Sequence, residues 1–263
     1  MDFGLREKVC VVTGASRGIG RDVAVRLGAE RASVLLVARG EEDLNEAVRA
    51  CGGRAAGLVL DVTDADAAER ISAAAEKHFG QVDVLVNNAG TARHRPIEDV
   101  PDADWQAAWE LNVMAPMRLM RAVIPGMRER GWGRIVNVSS TAGKRPSAGM
   151  PEYSVAKAAQ LSLSRVFADQ HAESGVLINA VCPGPTKSDL WMAPGGILDQ
   201  SQAAGGHESR EAALDAAGAK RPIGRLAEPG EIGAVIAFLC SEHASYVAGA
   251  AWSVDGGTVQ VII

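Results

Sequence analysis

Short apolar runs alternate with amphipathic segments along this chain of 263 residues. The runs are rich in Val, Ile and Leu and predict seven strands: Val9–Thr13, Ser33–Ala38, Ala55–Asp61, Val82–Asn87, Arg134–Ser139, Leu177–Cys182 and Ala251–Val254. Apolar residues at helical spacing predict helices that include Asp64–Phe79, Asp102–Arg130, Tyr153–Ser174 and Glu228–Leu239. Near-continuous apolar strands are typical of a sheet covered by helices on both faces. The pattern therefore predicts one α/β domain over residues 1–263, built on a doubly wound parallel sheet.

Composition and charge narrow the classes of protein. The chain is 47% hydrophobic and 22% charged, as in ordinary globular proteins, and its net charge of −5 offers no basic face for nucleic acid. The four cysteines and five histidines show neither metal-ligand nor disulfide spacing. No signal peptide opens the sequence, and no apolar run approaches a membrane span. We expect a cytoplasmic protein that uses no metal and binds neither nucleic acid nor membrane.

The first strand runs into a glycine-rich turn that precedes an amphipathic segment. The turn reads Gly14-Ala15-Ser16-Arg17-Gly18-Ile19-Gly20. In such a turn, backbone N–H groups at a helix N-terminus face a phosphate, and glycines let a pyrophosphate approach closely. A plain strand-to-helix turn is the alternative, but the flanking strand and helix favour a nucleotide site.

Tyr153 and Lys157 stand one helical turn apart, so their side chains project into the same space. An unperturbed phenol has a pKa of about 10, and a fixed ammonium nearby lowers that pKa. We therefore expect the pair to exchange a proton at about pH 7–9. The alternative is that Tyr153 is a packed aromatic residue whose hydroxyl is merely satisfied.

Five motifs follow one another over nearly the whole chain. They are Thr13-Gly14-x-x-x-Gly18-x-Gly20, Asn87-Asn88-Ala89-Gly90, Ser140, Tyr153-x-x-x-Lys157 and Pro183-Gly184. Together they resemble the short-chain dehydrogenase/reductase family in its compact single-domain form. The resemblance implies a Rossmann-type fold and an NAD(P)(H)-dependent oxidoreductase that interconverts a secondary alcohol and a ketone by hydride transfer.

The resemblance also implies four catalytic residues. Tyr153 is the general acid/base, Lys157 lowers its pKa and bonds the nicotinamide ribose, and Ser140 bonds the substrate oxygen. Ser139 competes with Ser140, but Tyr153 follows Ser140 by thirteen positions, which is the family's usual separation. Asn112 matches the family's helical asparagine, which keeps a helix irregular and carries a water that links Lys157 to solvent. Without a partner, an amide in mid-helix is unfavourable.

The cofactor site implied by the resemblance takes residues from several strand ends. They are Gly14, Ser16, Arg17, Gly18, Ile19, Gly20, Arg39, Asp61, Val62, Asn88, Ala89, Gly90, Tyr153, Lys157, Pro183, Gly184 and Thr186. Asp61 and Val62 resemble the family's adenine-contacting pair, and a strand-end or helix-capping aspartate is the alternative. In isolation, the Asn88 motif is typical of an ordinary turn.

The end of the second strand predicts which nicotinamide cofactor is used. Ala38-Arg39 offers no acid to hold both ribose hydroxyls, and Arg17 adds a second guanidinium. Two guanidiniums suit a dianionic 2′-phosphate, so we expect NADP(H) in preference to NAD(H). The alternative is that Arg39 starts a helix surface, where three following acids dilute its charge.

Substrate contacts are the least readable part of the chain. Lys187–Arg225 is rich in Gly and Ala, which predicts a mobile lid over about residues 187–225. The candidate contacts are His94, Met150, Leu190, Trp191 and Met192. They predict a medium-sized secondary alcohol or ketone with some apolar body. Two interpretations of the basic cluster around His94 stay open: it binds an anionic substrate, or it is a solvated charged loop.

Association and alternative functions complete the prediction. Helices with apolar residues on more than one face and the terminal Val261-Ile262-Ile263 predict a homotetramer or homodimer. Within the enzyme class, the alternative is a reductase of 3-oxoacyl thioesters on an acyl carrier protein. Outside it, the alternative is a dinucleotide-binding sensor or scaffold, which needs the glycine turn but no proton donor.

Overall fold

The computed structural model describes residues 2–260, so the terminal Val261-Ile262-Ile263 lies outside the described residues. Within that range, seven parallel strands form one sheet in the order β3-β2-β1-β4-β5-β6-β7. The strands are β1 (Val9–Thr13), β2 (Ser33–Ala38), β3 (Arg54–Val59), β4 (Val84–Asn87), β5 (Gly133–Val138), β6 (Val176–Pro183) and β7 (Ala251–Val254). The predicted doubly wound α/β fold is confirmed, with boundaries that shift by one or two residues at β3, β4, β5 and β6.

Helices cover the sheet on both faces. They are α1 (Gly18–Ala29), α2 (Glu41–Cys51), α3 (Ala67–Phe79), α4 (Asp102–Trp109), α5 (Ala115–Glu129), α6 (Thr141–Lys144), α7 (Pro151–His171), α8 (Asp189–Met192), α9 (Ile197–Gly205), α10 (Arg210–Ala219) and α11 (Pro229–Leu239). One apolar core lies under α1, α2 and α11, and a second lies under α3, α5 and α7. Among the described residues, no helix is both long and apolar enough to cross a membrane.

Burial on both faces holds for the inner strands but is wrong for the two edges. β1, β2, β4, β5 and β6 are buried throughout. β3 alternates between exposed and half-buried positions, and most of β7 is exposed. Each edge strand has one neighbour in the sheet, so an apolar run at an edge does not require cover on both faces.

Two predicted helices have different limits for identifiable reasons. Asp102–Arg130 is divided by a π-helical turn at Glu110–Met114, which lies between α4 and α5. Tyr153–Ser174 begins earlier, at Pro151, since proline's fixed φ and missing N–H suit the first turn of a helix. Segment 187–225, predicted as a mobile lid, contains the three short helices α8, α9 and α10.

The strand order reverses beside β1, which pairs with β2 on one side and β4 on the other. In open α/β sheets, ligands bind beyond the carboxyl ends of the strands at such a reversal. The glycine turn, the Asn88 motif and Ser140 follow β1, β4 and β5 at this edge. The topology therefore brings the separate sequence motifs to one crevice.

Candidate active site

The glycine turn is built so that backbone segments touch where a side chain would collide. Gly14 has a φ of +63°, and a Cβ there would lie 2.9 Å from Ala89 Cα. A Cβ on Gly20 would lie 2.3 Å from Gly14 O and 2.4 Å from Asn88 Nδ2. The side of the turn that faces Asn88 and Ala89 is therefore closely packed, and its other side faces the crevice.

Asn88 and Thr13 lock the turn to the end of β4. Asn88 Nδ2 donates to Thr13 O at 2.9 Å and to Gly14 O at 3.1 Å. The Thr13 hydroxyl accepts from the backbone N–H groups of Asn88 at 3.0 Å and Ala89 at 3.1 Å. The Asn88 motif is therefore more than an ordinary turn, because its side chain satisfies backbone carbonyls of the phosphate cradle.

The residues of the turn fit a dinucleotide. α1 begins at Gly18, and no side chain caps its first N–H groups. Unpartnered N–H groups and the helix dipole favour an anion at this point. A Cβ on Gly90 would lie 3.6 Å from Asn112 Oδ1 and 3.7 Å from Lys157 Nζ. That space stays open only because residue 90 is glycine.

Lys157 is buried on α7 and is held by two acceptors. Its Nζ donates to Val138 O at 2.7 Å and to Gln160 Oε1 at 3.1 Å, and lies 5.6 Å from the centre of the Tyr153 ring. Burial lowers the pKa of Lys157 to about 7, against a slight opposing influence of the Cys182 thiol. The ammonium keeps donor capacity for a further partner.

The expected lowering of the Tyr153 pKa is not what the structure shows. Burial raises the pKa of Tyr153 to about 12, although a hydrogen bond with Ser140 opposes the rise. Desolvation raises the pKa because a phenolate loses more hydration than the neutral phenol, and the Cys182 thiol adds to the rise. Tyr153 is thus a protonated hydroxyl at neutral pH, which is the form that donates a proton.

Ser139 and Ser140 have separate tasks. Ser139 is buried, and its hydroxyl donates to Lys157 O at 3.0 Å. Ser140 caps the short helix α6, where its Oγ accepts from Ala142 N at 3.1 Å, and it lines the cavity beside Tyr153. Both serines border the cavity, but the Ser139 hydroxyl already donates to the backbone of α7, which favours Ser140 as the serine that bonds the substrate.

Asn112 lies in the π-helical turn and is fully buried. Its Nδ2 donates to Ala108 O at 2.9 Å, while its Oδ1 has no partner among the described residues. A buried carbonyl oxygen without a partner is unfavourable unless a ligand or water satisfies it. The irregular helix expected around Asn112 is present, and the free oxygen faces the space beside Lys157 and Gly90.

Charged residues surround the end of β2. Arg39 is exposed, and its Nη1 lies 3.5 Å from Asp61 Oδ2. Asp61 also accepts from Thr63 N and Thr63 Oγ1, so it closes a local turn and does not cap α3, which starts at Ala67. The pKa of Asp61 is lowered, because these hydrogen bonds and Arg39 overcome its partial burial.

Arg17 is engaged with segment 187–225. Its Nε lies 3.6 Å from Asp189 Oδ2, and both side chains are largely exposed. Arg17 and Arg39 both line the cavity at its nucleotide end. The two guanidiniums predicted to hold a 2′-phosphate are therefore present together, although each has an acid within reach.

One open cavity of about 1640 Å³ connects these features. Its wall includes Gly14, Ser16, Arg17, Gly18, Ile19, Arg39, Asp61, Val62, Asn88, Ala89, Gly90, His94, Ser140, Met150, Tyr153, Lys157, Pro183, Gly184, Thr186, Leu190 and Trp191. Gly20 and Asn112 lie behind the wall. Met192, also predicted as a substrate contact, is not among the residues that line the cavity, and its carbonyl accepts from Arg210 on α10.

The sequence did not predict the side-chain partners of several residues that it singled out. Gln160 holds Lys157, and Asn87 Nδ2 donates to Asn137 Oδ1 at 2.8 Å across the sheet. Arg95 joins Glu152 and Asp104 in a partly buried cluster on the cavity wall. Of these contacts, helical spacing could have predicted only the one between Gln160 and Lys157, because the two residues lie one turn apart on the same helix.

The fold, the phosphate cradle and the tyrosine–lysine pair define the class of dinucleotide-dependent α/β oxidoreductases. The sequence profile of the short chain dehydrogenase family matches residues 8–195. The chain therefore belongs to the short-chain dehydrogenase/reductase family, as its motifs predict. It is an NAD(P)-dependent oxidoreductase that acts on CH–OH groups.

The chain is similar over its whole length to proteins of known activity, of which two sequences and one solved structure are examples. A 3-oxoacyl-[acyl-carrier-protein] reductase of Vibrio cholerae is 35% identical over 98% of this chain and 100% of its own length. D-beta-hydroxybutyrate dehydrogenase of Cupriavidus necator is 35% identical over 97% of this chain and 99% of its own. The structure of L-sorbose reductase from Gluconobacter frateurii, complexed with NADPH and L-sorbose, is 34% identical with a TM-score of 0.92, and each chain is covered completely.

Proposed function

We propose that the chain reduces a ketone to a secondary alcohol with NADPH, and catalyses the reverse oxidation, using Tyr153 as general acid/base. The observation that carries this proposal is the meeting of Tyr153, Ser140 and Lys157 on the wall of the cavity that the glycine turn opens into. A sensor or scaffold would need the turn alone. The buried Lys157 and the hydrogen bond of Ser140 with Tyr153 supply the parts of a proton donor.

Each residue has a distinct part in the proposed reaction. When bound, the nicotinamide supplies the hydride that reaches the carbonyl carbon. Tyr153 donates its proton to the carbonyl oxygen, and Ser140 donates a hydrogen bond that stabilises the negative charge developing there. Lys157 holds the nicotinamide ribose and stabilises the phenolate left on Tyr153. Asn112 holds, through its free Oδ1, a water that returns a proton toward Lys157.

The preference for NADP(H) is supported by Arg17 and Arg39 at the nucleotide end of the cavity. A 2′-phosphate would displace Asp61 from Arg39, since a dianion pairs more strongly with a guanidinium than a carboxylate does. The similar L-sorbose reductase carries NADPH in its structure. Titration of both nucleotides against the protein tests the preference, and equal or tighter NAD binding would refute it.

Removal of the Tyr153 hydroxyl tests the catalytic assignment. Tyr153→Phe should lower kcat by about 100-fold or more, because the general acid is lost while the ring is kept. The Kd for NADP should change by less than about threefold. The matched control is Tyr246→Phe, since Tyr246 is fully exposed and away from the cavity. Near-normal turnover in Tyr153→Phe would end the assignment.

The carrier-bound thioester remains the second candidate because a 3-oxoacyl-[acyl-carrier-protein] reductase is 35% identical over nearly the whole chain. A comparison of the same 3-oxoacyl group as free ketone, simple thioester and carrier-bound thioester separates the two. A gain in kcat/KM on the carrier alone favours the second candidate.

Association into a homotetramer or homodimer is supported by exposed apolar side chains. Val155 and Val166 lie three turns apart on α7, and Trp109 ends α4; all three are exposed. Light scattering at micromolar concentration tests this association.

A cytoplasmic location is likewise a proposal, supported by four free, buried cysteines and tested by cell fractionation.

A further inference from the structure

The acids on the substrate side of the cavity are all engaged in ion pairs. Arg95 pairs with Asp104 and with Glu152, at 3.4 Å in the second case, and Glu110 pairs with Arg118. Asp189, at the edge of segment 187–225, pairs with Arg17. The remaining acids of the wall, Asp43 and Asp61, follow β2 and β3 at the nucleotide end. Within residues 2–260, every carboxylate on this side of the cavity therefore has a cationic partner.

Cations on the same side remain without acids. Arg93, Arg145, Lys220 and Arg221 line the cavity, and within residues 2–260 no carboxylate oxygen lies within 4.0 Å of their charged groups. The side chains of Arg93, Arg145 and Lys220 belong to exposed residues and are hydrated. Arg221 is half-buried, so of these four cations it is the least hydrated, and within residues 2–260 it has no counter-ion.

The end of α10 holds the Arg221 guanidinium in place. Its Nη1 donates to Ala217 O, one of the last carbonyls of the helix. Its Nε is buried and has no hydrogen-bond partner among the described residues. Burial lowers the pKa of Arg221, and no acid counters the effect. The helix end takes one N–H of Nη1 and Nε is enclosed, which leaves Nη2 and the second N–H of Nη1 to another partner.

An unpaired guanidinium in a partly desolvated wall is unfavourable unless a ligand brings the opposite charge. A carboxylate matches the planar fork with two parallel hydrogen bonds and cancels the single positive charge. We infer that Arg221 is a substrate-binding residue and that the substrate is an oxo acid, whose ketone faces Tyr153 while its carboxylate pairs with Arg221. This inference rests on the proposed ketone reduction.

Matched substrates test the charge of the substrate without any mutation. The wild-type protein is given NADPH with 2-, 3-, 4- and 5-oxo acids of four to eight carbons, each beside its methyl ester, and with L-sorbose as a neutral polyhydroxy ketone. We expect kcat/KM for at least one acid to exceed that of its ester and of L-sorbose by about tenfold or more. Equal values for acids and esters, or a preference for neutral ketones, would overturn the inference.

Substitution of Arg221 then tests the residue. Arg221→Met should raise KM for the preferred acid by about 10- to 100-fold and change kcat/KM for its ester by less than about threefold. Arg221→Lys keeps the charge and should recover part of the affinity. The matched control is Arg225→Met, because Arg225 lies four residues away, pairs with Glu231 and does not line the cavity.

The possible failures are separable. If Arg221→Met weakens acid and ester equally, or leaves the acid unaffected, Arg221 does not bind the carboxylate and the ketone reduction itself still stands. If no carbonyl compound of any charge is reduced with NADPH or NADH, the proposed function fails first. Thermal unfolding of both methionine variants confirms that differences in KM come from folded protein.

Discussion

Different interactions hold the two sides of the cavity, which are the carboxyl ends of the strands and segment 187–225. At the carboxyl ends of the strands, polar groups that are buried or partly buried bond to backbone, as Lys157 does to Val138 O and Asn88 does to Thr13 O. Segment 187–225 is tied down by exposed ion pairs, such as Arg210 with Asp199 at 3.0 Å. A buried hydrogen bond fixes one geometry, because a buried donor that loses its acceptor has no water to replace it and pays the full desolvation penalty. Exposed pairs exchange with water at little loss, so we expect segment 187–225 to open more easily than the strand ends.

The largest expected effect concerns the buried ammonium. Lys157 titrates at about 7 in the folded protein and near its ordinary value of 10.5 in the unfolded chain. Between these values the unfolded chain binds the extra proton, so stability rises as pH rises from about 7 to 10. Lys157→Met removes this contribution. Relative to that variant, wild-type protein without nucleotide should gain up to about 1.4 kcal/mol of unfolding free energy per pH unit.

Urea unfolding at several pH values between 7 and 10 measures the difference. Tyr153 contributes only above about pH 10, where its raised pKa works in the opposite direction. Lys77→Met is the control, because Lys77 is exposed on α3 and should give a curve parallel to wild type. Parallel curves for Lys157→Met as well would mean that the ammonium is hydrated, and the contrast between the two sides would weaken.

A smaller effect is expected from a single added methyl in the phosphate cradle. Gly20→Ala places a Cβ 2.3 Å from Gly14 O, so the turn must open and Asn88 must shift. We expect a loss of about 1–3 kcal/mol in unfolding free energy and an NADP affinity reduced by at least about tenfold. Gly40→Ala is the control, since Gly40 also borders the cavity and a Cβ there meets no atom within 4 Å. Isothermal titration and urea unfolding measure both, and an unchanged Kd in Gly20→Ala would show that the cradle is not rigid.

The sequence predicted the strand-end side of the cavity better than segment 187–225. The reason is how closely the fold restricts the residue type at each position. Gly14, Asn88 and Tyr153 are readable because backbone approach and helical spacing demand particular residues at particular separations. Met192 and Arg221 are not readable in that way. Many side chains satisfy a short exposed helix, and only the three-dimensional path of segment 187–225 decides which of them reach the cavity. Arg221 lies within the predicted lid, but nothing in its neighbours along the chain marks it as unpaired.

The pKa of Tyr153 shows a second limit of sequence reasoning. Spacing places Lys157 beside Tyr153, and from spacing alone the ammonium should dominate. The degree of burial, which depends on β5, α7 and the segments above them, reverses the direction and takes the pKa of Tyr153 to about 12. Spacing predicts which groups meet, whereas desolvation by the rest of the fold decides their charge.

The smallest expected effect lies in segment 187–225 itself. Arg210 pairs with Asp199 and bonds the carbonyl of Met192, and the two charged side chains are 44% and 33% exposed. Arg210→Met should lower the unfolding free energy by less than about 1 kcal/mol, as for other exposed pairs. Local opening should nevertheless increase, because this arginine joins α8, α9 and α10.

Limited proteolysis distinguishes the two effects. We expect cleavage within residues 187–225 to become several-fold faster in Arg210→Met, while the urea midpoint hardly moves. Arg165→Met removes a comparably exposed pair, with Asp169 on α7, and should leave that cleavage rate unchanged. A loss of more than about 2 kcal/mol in global stability would instead mean that segment 187–225 unfolds together with the sheet. The substrate side would then be as rigid as the nucleotide side, and Arg221 would have to meet its carboxylate in a preformed pocket instead of one that closes around it.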